Sequence, residues 1–167
     1  MTTSEKSIFV VTLMAVLGCG LIAGTFFAFS AFVMKAFGRL PALEGIAAMQ
    51  AVNIAVLNPL FLTVFVGTTV LCGAAVVLSF LRWQEPGAVF RLIGGLFYVL
   101  GTFFVTGMGN VPLNDRLAVL NTTNPQAASV WADYLTQWTL WNHVRTVAAL
   151  AAMALLILAL CQRHPQP

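Results

Sequence analysis

The sequence predicts an all-α integral membrane protein, a four-helix bundle with polar connections between spans one and two and between spans three and four. Of its 167 residues, 60% are hydrophobic and only 8% are charged, whereas soluble domains carry about 25% charged residues. The uncharged residues also fall in long runs, and a helix needs about 20 mostly apolar residues to cross a bilayer. One membrane domain over residues 1–167 suffices for a chain of this length.

The first span is predicted at about residues 8–33. It lies within the uncharged run between Lys6 and Lys35. A cleavable signal peptide is the alternative, because Ala28-Phe29-Ser30 has the small residues of a cleavage site. Signal peptides have apolar regions of about 7–15 residues, so the much longer run favours a membrane span.

The remaining spans are predicted at about residues 59–81, 92–108 and 144–161. Pro59 suits the first turn of a helix, which leaves residues 50–58 at the membrane surface. Gly107, Gly109 and Pro112 are expected to end span three, because glycine and proline interrupt helices. The helix that carries span four is expected to begin as early as Pro125. At 1.5 Å per residue it would exceed the roughly 30 Å hydrocarbon core.

Several function classes are disfavoured by the composition. The net charge is only +3 and there is no run of Lys or Arg, so no nucleic-acid partner is expected. The three cysteines lie in apolar segments without CxxC spacing, and no set of His, Cys and carboxylate ligands converges, so no metal is predicted. No cofactor is predicted either, and haem ligation by His143 is an alternative without supporting residues. Transport is disfavoured because no ionisable residue falls in mid-span.

Three polar stretches are expected on one face of the membrane, whatever the orientation of the four spans. They contain Asn53 and Asn58 before span two, Asn110, Asn114 and Asp115 after span three, and Trp138–Arg145 before span four. An even number of membrane crossings separates each of these stretches from the next, so all three lie on the same side of the membrane. The sequence therefore predicts a single polar rim on the bundle.

Helical spacing arranges part of this rim. At 100° per residue, one stripe carries Trp131, Tyr134, Trp138, Trp141, Asn142 and Arg145. Such a face can stack on a flat ring and hydrogen-bond its oxygens. The alternative is an aromatic belt with a snorkelling arginine. Asp115 is the expected partner of Arg145, or else the amides of Asn110 and Asn114, and an Asp115–Arg145 salt bridge would make the motif a structural clamp.

His143 is the histidine outside the C-terminal tail, and histidine is the side chain that titrates near neutral pH. It projects roughly 100° or more from the stripe, so it does not share the face of Asn142 and Arg145. A catalytic base and a packing residue are both open interpretations of His143.

Four sequence motifs follow one another along the chain: FFAFSAFVM (26–34), MQAVNIAVLNPLF (49–61), GNVPLNDRLA (109–118) and WTLWNHVRT (138–146). With these motifs the chain resembles the anthrone oxygenase-like family over about residues 10–160. The family consists of small bacterial and fungal membrane proteins, mostly of unknown function. A few fungal members oxidise anthrones to anthraquinones with O2, without an established metal or flavin.

The resemblance implies a cofactor-independent, O2-dependent oxidase or monooxygenase of a hydrophobic aromatic molecule, such as an anthrone or a quinol. That chemistry needs a base, donors to a developing enolate oxygen and an apolar slot for the rings. The candidate catalytic residues are Asn142, Arg145, Asp115 and His143. The candidate substrate-binding residues are Trp138, Trp141, Asn110, Asn114, Asn53 and Asn58. The alternative is a non-enzymatic bundle that binds a lipid or quinone, or a subunit of a larger membrane complex.

The orientation is predicted from the positive residues flanking the spans. Both termini and the turn at residues 82–91 lie on one face of a four-span chain. The two faces carry nearly equal numbers of Lys and Arg, but Arg116 and Arg145 on the second face belong to polar motifs. Discounting them favours cytoplasmic termini in a cell membrane, namely a bacterial inner membrane.

A cysteine placed on the short turn tests this orientation. In the Gln84→Cys variant, we expect no labelling by a membrane-impermeant thiol reagent in intact cells, because Arg82 and Arg91 hold that turn in the cytoplasm. Labelling should appear only after the cells are permeabilised. Labelling of intact cells would reverse the predicted topology.

Overall fold

The computed structural model describes residues 3–121 and 126–162, and every regular element in this part of the chain is helical. The α-helices are α1 (Thr3–Ala28), α2 (Met34–Phe37), α3 (Ala42–Ala55), α4 (Pro59–Leu81), α5 (Ala88–Tyr98), α6 (Val111–Ala118) and α7 (Ala127–Cys161). Three π-helical segments interrupt them: π1 (Phe29–Val33), π2 (Val99–Phe104) and π3 (Thr106–Asn110). The all-α prediction is confirmed.

Four helical stretches are long and apolar enough to cross a membrane, which confirms the predicted membrane fold class. They are Glu5–Phe37, Pro59–Leu81, Ala88–Ala118 and Ala127–Cys161. The second begins at the predicted proline, and Asn58 precedes it as the N-cap: its Oδ1 accepts a hydrogen bond from the Phe61 backbone N–H at 2.9 Å. This bond satisfies one of the free N–H groups at the helix start.

The third span does not end at Gly107–Pro112, and that prediction was wrong. The helical path continues through π3 into α6 and ends at Ala118. Pro112 lies in the first turn of α6, where a proline removes no needed hydrogen bond. Gly109 lets the indole of Trp141 approach, because a Cβ there would lie 2.7 Å from Trp141 Cδ2. A π-turn thus absorbs residues that would interrupt a regular α-helix.

The fourth long helix confirms the expectation that it begins far ahead of the last apolar run. α7 has 35 residues, or about 52 Å at 1.5 Å per residue, against a hydrocarbon core of about 30 Å. It begins at Ala127, and Pro125 lies outside the described residues. Its first half packs against α3 and α6. The predicted polar connection between spans one and two is thus formed by the helix α3, which packs against α7 at the rim.

Two apolar cores hold the molecule together. The first, inside the bundle, centres on small or branched residues of α1, α4, α5 and α7, among them Ala15, Cys19, Ile22, Cys72, Tyr98, Ala149, Ala152 and Leu156. The second lies under the rim and contains Met34, Ile46, Met49, Leu117, Trp131, Tyr134 and Trp138. Cys19 and Cys72 are buried free thiols with their Sγ atoms 3.8 Å apart, as expected for core residues.

Glycines permit the close approach of the spanning helices, as small residues commonly do in membranes. A Cβ at Gly95 on α5 would lie 2.7 Å from both the Cys72 carbonyl oxygen and Val76 Cγ2 on α4. A Cβ at Gly73 on α4 would have nothing within 4 Å. Gly95 therefore permits close packing of two helices, whereas Gly73 does not contribute to such a contact, although both lie inside helices.

We expect Gly95→Ala to destabilise the bundle by about 1–3 kcal/mol, because the added methyl group forces α5 away from α4. Gly73→Ala is the matched control. It should leave the protein unchanged or stabilise it by about 0.5–1 kcal/mol, since alanine favours the helix. The melting temperatures of the two variants in detergent decide the matter. Equal melting temperatures would show that α4 and α5 do not pack at this distance.

Candidate active site at the polar rim

A cavity of ≈ 570 Å³ opens between the rim helices, within the range of about 300–1,000 Å³ typical of small-molecule sites. α1, π1, α3, α4, π3, α6 and α7 all contribute to its wall. Most of the wall is apolar and includes the rings of Phe26, Phe29, Phe61, Phe65 and Trp138. The polar lining residues are Thr25, Gln50, Asn53, Thr106, Asn114, Asp115 and Arg145. The cavity therefore suits a mostly hydrophobic ligand with a few polar groups.

Arg145 is the buried cation of this wall, with 4% of its surface exposed. Its guanidinium carbon lies 4.0 Å from the ring centroid of Phe26 and 5.2 Å from that of Trp138, and ring faces attract cations. Nη2 donates to Asn142 Oδ1 at 2.6 Å, and Nη1 donates to Thr106 Oγ1 at 3.3 Å. Nε is buried without a hydrogen-bond partner, so the protein does not satisfy every donor of the guanidinium.

Asn142 holds this arginine in place. Its side chain is fully buried and does not line the cavity. Nδ2 donates to the Phe26 carbonyl oxygen and to Ser30 Oγ, both at 2.7 Å, while Oδ1 accepts from Arg145. Both amide hydrogens are thus used inside the protein. The structure therefore does not place Asn142 at the cavity wall, where the predicted donation to a substrate oxygen would need it, and its amide holds Arg145 instead.

The π-helical segments bring polar groups to this part of α7. π1 supplies Ser30 to Asn142. π3 supplies Thr106 to Arg145, and Asn110 Nδ2 donates to the Trp138 carbonyl oxygen at 3.1 Å. From π2, Thr102 Oγ1 donates to the Arg145 carbonyl oxygen at 3.4 Å. The three irregular segments therefore all contact α7 within about two turns, between Trp138 and Arg145, and π-turns are frequent at functional sites.

Asp115 and Arg145 do not form the expected salt bridge. Within the described part of the chain, no carboxylate lies within 4.0 Å of the guanidinium, which donates to Asn142 and Thr106 instead. The alternative partners Asn110 and Asn114 do not accept from it either. Because the helix continues into α6, Asp115 is carried out to an exposed position in the cavity wall. The clamp interpretation of the pair is therefore wrong.

The rim asparagines have different roles. Asn114 Oδ1 accepts from the Tyr134 hydroxyl at 2.8 Å and from Trp138 Nε1 at 2.9 Å, which fixes the Trp138 ring in the wall. Asn53 also lines the cavity, and its buried Nδ2 lies near Tyr134 without a hydrogen bond of ordinary geometry. Asn110 is buried behind the wall and supports the backbone of α7. Of these three, Asn53 and Asn114 can reach a ligand.

Three candidates lie away from the cavity. His143 is exposed on the opposite side of α7 and does not line the wall, because it is one residue, or about 100°, from Asn142. Trp141 is 41% exposed and covers Gly109 from outside. Asn58 is used as the cap of α4. The structure therefore does not bring His143, Trp141 or Asn58 into the site.

Reasoning from the sequence missed the α1 side of the wall and the hydroxyl groups. Phe26, Phe29 and Thr106 all line the cavity, and Ser30 bonds to Asn142. Phe26, Phe29 and Ser30 lie inside the FFAFSAFVM motif, which was the available signal. Thr106 carries no such signal, because threonines within apolar spans usually bond to their own helix.

The mouth of the cavity is bordered by apolar side chains. Ile54, Leu57 and Leu62 at the α3–α4 corner and Val111 on α6 are exposed lining residues. Asp115 is the carboxylate beside them. Exposed large apolar groups at the edge of a membrane span favour contact with lipid over water. The mouth is therefore apolar except for Asp115.

Neighbouring residues of α7 offer a test of this geometry. We expect Asn142→Ala to destabilise the protein by about 1–3 kcal/mol or more, because it leaves the Arg145 guanidinium without its shortest hydrogen bond. His143→Ala should change stability by no more than about 0.5 kcal/mol, as exposed substitutions usually do. Thermal unfolding in detergent compares the two. A larger effect of the histidine variant would contradict the orientation of α7.

No curated protein and no solved structure gives a match to the chain. A family model described as anthrone oxygenase matches residues 61–155, a segment that contains Asp115, Trp138, Asn142 and Arg145. The match spans more than half of the 167 residues, and the chain therefore belongs to the anthrone oxygenase family.

Proposed function

We propose that the protein oxidises a hydrophobic aromatic substrate with O2 inside the rim cavity. One observation carries this proposal: Arg145 and Asp115 are the charged lining residues in the described part of the chain, and they are unpaired within the same apolar wall. A ring bound between them meets a cationic donor on one side and a proton acceptor on the other. Reactions through an enolate need both groups.

The chemistry starts from a methylene group opposite a carbonyl, as in an anthrone. Asp115 removes one methylene proton, and the electron pair moves onto the carbonyl oxygen, where Arg145 stabilises the enolate. The methylene carbon then forms a bond to O2, and the peroxide takes up a proton. Loss of the second C–H proton breaks the O–O bond and releases water, leaving a second carbonyl. The balance is CH2 plus O2 to C=O plus H2O, so the substrate supplies every electron.

The surroundings of the two charged groups support these roles. Arg145 is buried, and a preorganised donor in a site of low dielectric constant stabilises developing charge better than water does. Asp115 is exposed, so a proton that it accepts can pass to solvent. The faces of Phe26, Phe29 and Trp138 provide stacking surfaces for the rings. These features favour a flat, oxygen-bearing ligand.

The proposed location is a bacterial inner membrane, with both termini in the cytoplasm and the bilayer as the source of substrate. Four spanning helices put the termini on one face, and the positive residues of the short turn favour the cytoplasm. The apolar mouth beside Leu57 and Val111 supports uptake from lipid.

The same mouth favours a second candidate, a non-enzymatic bundle that binds a lipid or a quinone. In that case the cavity holds its ligand without turnover, and Asp115 marks the mouth without accepting a proton. Oxygen consumption distinguishes the two functions.

We expect the purified wild-type protein to consume O2 with at least one member of a panel of anthrones and hydroquinones, with a metal chelator present. Asp115→Asn should lower this rate by about 10²–10⁴-fold, because the amide cannot accept the proton. His143→Ala, which alters an exposed residue outside the cavity, is the matched control and should retain the rate. If the wild type consumes no O2 above the spontaneous rate on any compound, the oxidase proposal fails and the binding function takes its place.

A further inference from the structure

Arg145 carries its charge among neutral groups only. Its hydrogen-bond acceptors are an amide oxygen of Asn142 and a hydroxyl oxygen of Thr106, and two ring faces cover the guanidinium plane. Nε, although buried, has no acceptor. A buried charge without a counter-ion is costly unless a partner is supplied. The protein therefore leaves one N–H group of the guanidinium without an acceptor and provides no counter-ion for its charge. An anion would be its most favourable partner.

A second buried arginine in the same chain provides a comparison. Arg91, at the opposite end of the bundle, is also 4% exposed, and its Nη2 lies 3.8 Å from Glu85 Oε2. Arg91 Nε and Nη2 are also buried without a hydrogen-bond partner, but that arginine has an acidic partner from the protein and does not line the rim cavity. Arg145 has no such partner and lines the rim cavity. The difference indicates that the counter-ion of Arg145 comes from a ligand.

Among the described residues, 3–121 and 126–162, no other titratable group around the cavity supplies the missing charge. On α7, the Tyr134 hydroxyl donates to Asn114. On α6, Asp115 lies outside salt-bridge distance of the guanidinium, at the mouth. The lining residues of α1, π1, α3, α4 and π3 are apolar, hydroxyl or amide side chains. The ligand group that faces Arg145 must therefore bring its own negative charge.

The rest of the cavity defines what carries that charge. Its volume of ≈ 570 Å³ is larger than a small inorganic anion can fill. Five aromatic rings line its wall. The shared chemistry is a hydrophobic body with one ionised oxygen, which an aromatic hydroxy compound or a fatty acid can provide. The rings of Phe26 and Trp138 lie next to the guanidinium and favour the aromatic compound, because a planar anion can stack on a ring while its oxygen bonds to Arg145.

We propose that the cavity binds the conjugate base of an acidic hydroxyarene or enol, with the ionised oxygen on Arg145, in preference to the neutral compound and to neutral quinones. This inference rests on the proposed function only in placing an aromatic ligand in the cavity, and it holds whether or not turnover follows. It also assigns a role to the charge of Arg145, which holds the ionised oxygen whether the ligand arrives ionised or loses its proton to Asp115 inside the cavity.

The test uses 2-hydroxyanthraquinone, a dye whose colour changes when its hydroxyl group ionises. It has no methylene group to oxidise, so binding is measured apart from turnover. With excess wild-type protein in detergent, we expect the ionised dye to bind about 10–1,000-fold more tightly than the neutral dye, as an opposite charge within about 4–6 Å implies. The absorbance transition should then move to lower pH than in detergent alone. 2-Methoxyanthraquinone, which cannot ionise, is the matched ligand and should compete weakly.

Variants locate the effect. Arg145→Gln should abolish the shift in the transition, whereas Arg145→Lys should retain part of it because the charge is kept. His143→Ala alters an exposed residue of the same helix that does not line the cavity and should keep the shift, so it controls for purification and detergent. The wild-type titration needs no substitution, so the proposal is tested even if the Arg145→Gln protein cannot be purified.

The outcomes separate the two proposals. An unshifted transition with wild-type protein, or equally strong competition by the methyl ether, would overturn anion selection even if O2 is consumed. A shifted transition together with no O2 uptake would support anion selection and remove only the oxidase function. Displacement of the dye by oleate at lower concentrations than by 2-naphthol would overturn the aromatic assignment and identify the ligand as a fatty acid.

Discussion

The rim depends on the burial of one guanidinium group. Arg145 lies within a long apolar helix, and a charge at such a position needs acceptors that the bilayer does not offer. Asn142, one helical turn earlier, provides the shortest contact, and its own amide hydrogens bond to Phe26 and Ser30 on the first span. The same side chains therefore join the first and fourth spans and orient the cation. Stability and ligand binding are coupled through Asn142, which touches no ligand itself.

The three π-helical segments in the described part of the chain all supply polar groups to α7 around this guanidinium. A regular α-helix repeats every 3.6 residues, and its main-chain bonds leave polar side chains at fixed angles. The structure shows one wider turn in the first span and two in the third, and Ser30, Thr106 and Asn110 from these turns bond to α7. Irregular backbone in a membrane helix is tolerated where protein surrounds it. In this chain the irregular turns surround the buried arginine.

This explains how far the sequence could be predictive. Spans follow from local sums of hydropathy, so the four-helix bundle and the start of α4 at Pro59 were predictable. The continuation of span three beyond Gly109 was not, because a π-turn depends on contacts such as that with Trp141. Topology alone placed Asn114, Trp138 and Arg145 on one rim. Topology could not predict that Asp115 is exposed or that Asn142 is fully buried. Both depend on how α6 and π1 pack against their neighbours in the folded protein. Hydroxyl groups such as Thr106 leave no periodic signal.

The cavity divides shape from charge among its helices. α1, α3 and α4 supply rings, aliphatic groups and amides, whereas α6 and α7 supply Asp115 and Arg145. A substitution of Phe61 or Leu62 on α4 therefore changes the volume available to a ligand and leaves both charges in place. A substitution of Asp115 or Arg145 changes the electrostatics of the wall, because the two charges do not form a salt bridge that would neutralise them. An apolar site that kept both charges paired would hold any hydrophobic molecule of the right size. With the charges separated, the wall favours a ligand with an anionic oxygen near Arg145 and an acidic hydrogen near Asp115, which is the polarity that an enolate reaction with O2 requires.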